Sequence, residues 1–566
     1  MSAKPMLNVV LYWHMHQPEY RDTRSGEFQL PWTYLHTIKD YADMAAHLEN
    51  NPDARAVINF VPILLEQIAA YDEQIQSFLN NTGVIKDHLL DALISPALPA
   101  HPEQRMELVH ACLRANRDRL INRYDAYQGL ADFARLVEKV PETIKYLNDQ
   151  YLIDLLVWYH LAWLGEHSRR HDSRVKELIK KGEHYNLHDR RILLEVIGEL
   201  IHTVIPRYRT LSEHGQIELS MTPYAHPITP LLLDIQSARE AIPNIDLPAL
   251  QNYPGGYERA RWHIQYGLDS FEHFFGLRPA GCWPAEGSIS NATLDLLAEY
   301  DFKWAASGGG VLDNSLNATD QERPPCIHRP YRHNSSGIQC FFRDDGLSDL
   351  IGFNYSDWHA DDAVANLVHN LESIAAACED TVNNTVSIIL DGENAWEYYP
   401  ENGYYFLQAL YQQLAEHPQL NLCTYSDCLT SNIESRELQN ITAGSWVYGS
   451  FSTWIGDADK NRAWDMLGDA KKMFDQVIES QQPDSKLLAK AEQQLALCEG
   501  SDWFWWFGDY NPSGTVSDFD RLYRINLSRL YQILGKEPPA YLAEVISHGS
   551  GDPAMGGTMR PGQAST

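Results

Sequence analysis

The sequence predicts an α/β fold: strands alternating with helices in a mostly parallel sheet or barrel, interrupted by one helical block and followed by another. Three observations predict it. Short apolar runs recur at 7–13, 56–60, 217–220, 281–283, 303–306, 339–342 and 386–390. Stretches with apolar residues at helical spacing, such as 256–275 and 289–300, separate them. Two long segments, about 101–210 and about 434–545, show mainly helical spacing. Strand–helix alternation implies βαβ units, and in such folds chemistry sits where strands end at their C-terminal edge.

Taken in order, the first hundred residues read as α/β, with strands at 7–13 and 56–60. The block 101–210, containing "RMELVHACLRANRDRLINRYDAY" and "YLIDLLVWYHLAWLGEH", reads as helices inserted between strands. The strand–helix pattern then resumes to 433. A C-terminal helical domain is expected over 434–545, and the Gly/Pro/Ser-rich 546–566 reads as a disordered tail. "WFWWFG" at 503–508 reads chiefly as a staple between this domain and the barrel, with the lining of a cleft as the alternative. "ASGGGV" at 306–311 lacks the spacing of a dinucleotide loop and reads as a plain loop.

Bulk properties narrow the function. The chain has 566 residues, enough for two or three packed units. Its formal charge of −31 disfavours nucleic acid as a partner. No apolar run is long enough for a membrane span, and the N-terminus lacks the shape of a signal peptide, so a cytoplasmic protein is expected. The 15 Trp and 30 Tyr supply flat rings that fill cores and stack on sugars. The 8 cysteines form no CxxC pair, and Cys423 and Cys428 are too isolated to suggest zinc; free buried thiols are expected, with no metal and no cofactor.

Five strand ends carry polar groups. "YWHMHQP" puts His14 and His16 on one face of a strand, suiting either a metal or a polyhydroxy ligand. "GQIELSMTPYAHPI" sets Glu218 in an apolar strand, where a buried carboxylate needs a partner. "GCWPAEGSIS" presents Glu286 three residues after Trp283, ahead of a helix that Ser290 or Asn291 would cap. "ILDGENAW" ends a buried run in Asp391 and Glu393, followed by Trp396. "YGSFSTWIGDADKN" holds Trp454 and Asp457 in a glycine-punctuated loop. Glu286 and Asp391 stand on different strand ends and can face one pocket, which is the minimal apparatus of glycoside hydrolysis. Neither a phosphate loop nor a GxSxG elbow is present.

In this order, "HMHQP", "GQIE", "WPAEGS", "LDGENAW" and "STWIGD" resemble the five sequence regions of glycoside hydrolase family 57, over roughly residues 7–535. "FFRDDGLSDLIGF" and "WFWWFGDYN" are most similar to its amylopullulanase and α-amylase branch, and "HQPEYR" departs from its branching members. The resemblance implies an incomplete (β/α)7 barrel with a C-terminal helical domain, and retaining cleavage of α-glucans. It assigns the nucleophile to Glu286 and the acid/base to Asp391. His14, His16, Glu218, Trp283, Glu393, Trp396, Trp454 and Asp457 are the expected substrate-binding residues. Asp391 should begin protonated, raised by repulsion from Glu393 and Glu286. Retention calls for carboxyl groups about 5–5.5 Å apart. Two alternatives stand outside this reading: a metal-dependent deacetylase or α-mannosidase using His14, His16 and an aspartate, and a non-catalytic glucan-binding protein. Within it, hydrolysis and 4-α-glucan transfer both remain open.

Overall fold

The computed structural model describes residues 6–319, 326–378 and 380–551. The strands, in chain order, are β1 (Leu7–Met15), β2 (Ala56–Phe60), β3 (Ile217–Met221), β4 (Gly281–Cys282), β5 (Trp304–Ser307), β6 (Tyr331–His333), β7 (Gln339–Phe342), β8 (Thr385–Asp391), β9 (Leu420–Leu422) and β10 (Arg436–Leu438). They form one sheet in the order β10-β6-β7-β5-β4-β3-β2-β1-β8, with β9 also pairing β1. Among the described residues every pairing is parallel except β6 with β7. β1 shows why: all nine of its residues are buried, as befits a strand covered on both faces.

The sheet curls until it nearly closes. Arg343, just past β7, makes a single parallel bridge to Ser387 of β8. The Arg343 side chain reinforces this seam, its Nε donating to the Ile389 carbonyl at 2.9 Å. Seven strands (β1–β5, β7 and β8) therefore surround one interior, joined by ladders on six sides and by a bridge on the seventh. That is the incomplete (β/α)7 barrel. Its interior is packed with Val10, Tyr12, Val57, Trp283, Trp304, Phe341, Ile389 and Tyr425. The helix Tyr425–Thr430 plugs the end where the strands begin.

The helical block lies between β2 and β3 and closes with the long helix Leu187–Glu213. The C-terminal helices are Ala458–Gln481, Ser485–Cys498, Asp502–Trp506 and Ser513–Ile533. A buried cluster ties them to the barrel: Arg259 and His263, on the barrel helix Gly256–Phe275, both bind Glu499. Burial alone would raise the Glu499 carboxyl, but Arg259 and His263 outweigh it and hold it at about 2.

Three expectations change here. The tail was expected to be disordered from 546, yet Ile546 and Ser547 are buried and donate backbone hydrogen bonds to Asp520; residues 552–566 lie outside the described residues. The glycines at 308–310 do not form a plain loop: the helix Gly309–Ala318 begins directly after β5. A Cβ on Gly308 would fall 2.5 Å from the Cα of Trp446, so glycine lets the 444–449 segment cross there. Six cysteines are free and buried, but Cys326 and Cys378 form a disulfide across 52 residues, a proximity that sequence spacing does not show. No described helix is long and apolar enough to cross a membrane.

Candidate active site

At the C-terminal edge of the strands lies a cavity lined by His14, His16, Gln17, Tyr20, His226, Glu286, Asp391, Glu393, Asn394, Trp446, Asp502, Trp505, Trp506 and Phe519, among others. Its residues come from β1, the turns after β3 and β4, the end of β8, the 444–449 segment and the C-terminal helices. The two carboxylates picked out on separate strand ends thus face one space.

Glu286 is held by its backbone and by one indole. It sits in the left-handed region, at φ 59°, which costs a non-glycine residue of order 1–3 kcal/mol and persists only where neighbours fix it. They do so here. Ile289 and Gly444 exchange backbone bonds, and the Trp446 N–H donates to the Glu286 carbonyl at 2.9 Å. The same tryptophan's Nε1 donates to Glu286 Oε2 at 2.9 Å. Glu286 Oε1 lies 3.9 Å from His226 Nδ1.

Asp391 and Glu393 flank Gly392, whose N–H donates to the His14 carbonyl at 2.7 Å. Asn394 Nδ2 donates to Asp391 Oδ2 at 2.8 Å. Glu393 Oε1 accepts from the His16 N–H and from Gln17 Nε2, while its Oε2 is buried without a partner. Both carboxyls are raised, and the physical cause differs from the expected one. Burial is the largest cause for each; repulsion from Asp391 comes second for Glu393, and Asn394 and His16 partly counter the rise at Asp391.

The floor is a stack of three imidazoles. His16 and His226 stack with ring centroids 3.9 Å apart, and His14 lies 5.2 Å from His226. His14 Nδ1 donates to Asn59 Oδ1 at 2.6 Å, leaving its Nε2 to accept from His226 Nε2–H at 3.2 Å. Ser501 then donates to His226 Nδ1. Burial, followed by the charges of neighbouring histidines, lowers His14 to about 3 and His226 well below its ordinary value, so both rings are neutral at pH 7. His16 Nε2 pairs with Asp502 at 2.8 Å, and its buried Nδ1 has no partner. His16, His226 and Asp502 have metal-ligand spacing, but both His226 nitrogens and the His16–Asp502 pair are already engaged in these bonds.

The family model for glycosyl hydrolase family 57 matches residues 10–442. The chain belongs to glycosyl hydrolase family 57. Solved structures of similar fold include the family's branching enzyme from Pyrococcus horikoshii, at 15% identity and a TM-score of 0.58, covering 95% of this chain and 94% of that one. The α-amylase AmyC of Thermotoga maritima aligns at 14% identity and a TM-score of 0.55, covering 97% and 95%. The 4-α-glucanotransferase of Thermococcus litoralis aligns at 14% and 0.52, covering 93% of this chain and 60% of that one. No curated protein matches.

Against this family frame, the site residues expected from sequence divide. Glu286, Asp391, Glu393, His14 and His16 line the cavity. Glu218 does not. It points into the barrel but from the beginning of β3, where Ser426 N–H, Ser426 Oγ and Trp304 Nε1 bind it near the plug helix. Trp283, fully buried, packs against Tyr12 and Trp446 beneath the cavity. Trp396 is core, its indole donating to the Gly392 carbonyl. Trp454 is buried behind Trp505. Asp457 caps the helix Ala458–Gln481. The aromatic faces at the cavity belong instead to Tyr20, Trp446, Trp505, Trp506 and Phe519. "WFWWFG" serves both ends: Trp503, Phe504 and Phe507 are core, and Trp505 and Trp506 reach the cleft. His226 and Asp502 escaped the sequence reading, although both lie in stretches it quoted or adjoined, "TPYAHPI" and "WFWWFG".

Proposed function

We propose that this chain is a retaining glycosidase acting on α-glucans, with Glu286 as nucleophile and Asp391 as acid/base. The observation that carries the reading is the convergence of these two carboxyls, from β4 and β8, on one cavity. Glu286 attacks the anomeric carbon of an α-linked glucose. Asp391 gives its proton to the departing glycosidic oxygen. Asp391, now ionised, then takes a proton from water as that water displaces Glu286. Burial at Asp391 favours the protonated form that the first step needs. His16 and Glu393 line the cavity beside the two acids and are placed to bind sugar hydroxyls.

The α-glucan class rests on the family and on the named activities of its structural neighbours, an α-amylase, a branching enzyme and a 4-α-glucanotransferase. α-1,4 linkages are the first expectation, with α-1,6 cleavage as an extension. Transfer in place of hydrolysis is favoured by one feature: Tyr20, Trp505, Trp506 and Phe519 form an apolar wall beside the acids, where an acceptor sugar stacks and displaces water. The test is incubation with maltoheptaose and with pullulan, products separated by size. Shorter products mean hydrolysis, longer ones transfer, and maltotriose from pullulan α-1,6 cleavage. A Glu286→Gln enzyme that keeps most of its turnover overturns the assignment.

A further inference from the structure

A second cluster of chemistry-bearing side chains lies away from the cavity, at the barrel seam. Cys326 precedes β6, and Cys378 ends the helix Ala360–Ala377. Their Cα atoms are 5.7 Å apart. His328 Nδ1 lies 3.8 Å from Cys326 Sγ. The other ring nitrogen, Nε2, binds Asp344 Oδ2 at 2.8 Å. One sulfur from each cysteine and one imidazole nitrogen all fall within 4.8 Å of one another.

The geometry points to a site for a thiophilic divalent cation, zinc by its chemistry, held by Cys326, Cys378 and His328 when the two sulfurs are reduced. In the oxidised chain Nδ1–H donates to Cys326 Sγ, which has no hydrogen of its own; with the sulfurs reduced and the ring neutral, Nε2–H on Asp344 leaves Nδ1 to a cation. The carboxylate–histidine arrangement is the one that fixes ring tautomer and orientation at metal centres. Across a tetrahedral ion with bonds of about 2.3 Å to sulfur and 2.0–2.1 Å to nitrogen, the N···S separation is about 3.6 Å, close to the 3.8 Å seen. Three protein ligands leave one position for water, and His328 and Asp344 are only 15% and 16% exposed.

The location gives the site a purpose. The Thr385 N–H of β8 donates to the His328 carbonyl, and the Asp344 N–H donates to the Ser387 carbonyl. The cluster therefore clasps the β7–β8 seam, where a single bridge replaces a strand ladder. It lies toward the start of β8, whereas Asp391 lies at its end. Binding is balanced as follows: the cation displaces two thiol protons, giving a neutral bis-thiolate–imidazole complex. Opening the disulfide needs a reductant. A phosphine supplies it, ending as phosphine oxide with oxygen from water while the sulfurs leave as two thiols.

The experiment uses the full chain, reduced with a phosphine, desalted without oxygen and titrated with Co2+ and then Zn2+. The expected result is one cobalt per chain with a thiolate-to-cobalt absorption band, lost when zinc displaces it, and no such band in the oxidised chain. Bound zinc should protect Cys326 and Cys378, by peptide mapping, from alkylation. Cys326→Ser and His328→Gln should each weaken binding at least tenfold, Asp344→Asn by 10–100-fold, and Cys423→Ser not at all. His328→Gln keeps both sulfurs, so its oxidised form checks folding by circular dichroism before reduction. A reduced wild-type chain without a thiolate band, or protection falling on cysteines other than these two, overturns the proposal.

Discussion

Replacing Gly392 by alanine should cripple turnover more than stability. Gly392 joins Asp391, the last residue of β8, to Glu393, and its N–H is tied to the His14 carbonyl. A Cβ there would fall 2.1 Å from Met15 Sδ, 2.7 Å from Met15 Cε and 3.4 Å from the His14 carbonyl oxygen. Non-bonded heavy atoms settle near 3.5–4.0 Å, so the methyl or the thioether must move by about 1.5 Å. Met15 is fully buried and has little room. Overpacking of this kind costs about 1–3 kcal/mol, a drop of a few degrees in melting temperature. The catalytic cost is larger, because a misplacement of about 1 Å at reacting groups costs about 10²-fold. The assay is kcat on maltoheptaose beside a thermal melt, for Gly392→Ala and for Gly392→Ala/Met15→Ala. The single variant should lose about 10²-fold in kcat, and the double variant, with the thioether gone, should recover at least tenfold of it. Wild-type kcat in the single variant, or no recovery in the double, refutes the reasoning.

Three further outcomes are expected. Asn394→Ala removes a donor that favours ionised Asp391; the Asp391 pKa rises, the protonated acid persists to higher pH, and the basic limb of kcat should move up by about one to two units, given about 1.5–3 kcal/mol for such a bond. Trp446→Phe keeps a ring but removes the donor to Glu286 Oε2; kcat/KM on maltoheptaose should fall by about 10–100-fold with the melting temperature almost unchanged. Glu499→Gln leaves Arg259 buried without its countercharge and should destabilise the C-terminal helices by about 3–5 kcal/mol, read by denaturant unfolding. Because the Glu499 pKa is depressed in the folded chain, its stabilisation is present above pH about 4.5 and lost as pH falls toward 2.

The strands and the acids were legible because each signal is local. Buried parallel strands read as apolar runs, and a run that stops in Asp-Gly-Glu or Trp-Pro-Ala-Glu marks the sheet edge where the cavity lies. Depth along a strand was not legible. Glu218 has the inward parity of Ser220, which reaches toward the upper layer by binding Asn59, yet it lies one repeat lower, against Ser426. The tryptophans misled for a related reason: Trp283, Trp396 and Trp454 adjoin the site in sequence but turn into the core. Trp446, Trp505 and His226 reach it through chain crossings, at Gly308 and through Ser501, that no periodicity encodes. The Cys326–Cys378 pair was hidden likewise, since its 52-residue separation carries no motif.

The most direct test of the two-carboxylate account is to trap the covalent intermediate with a fluorinated α-glucosyl fluoride that forms it quickly and releases it slowly. Mass spectrometry of the digested enzyme should find one glycosyl adduct, on the Glu286 side chain, absent from Glu286→Gln. An adduct on another residue, or full turnover by the Glu286→Gln enzyme, would contradict the account.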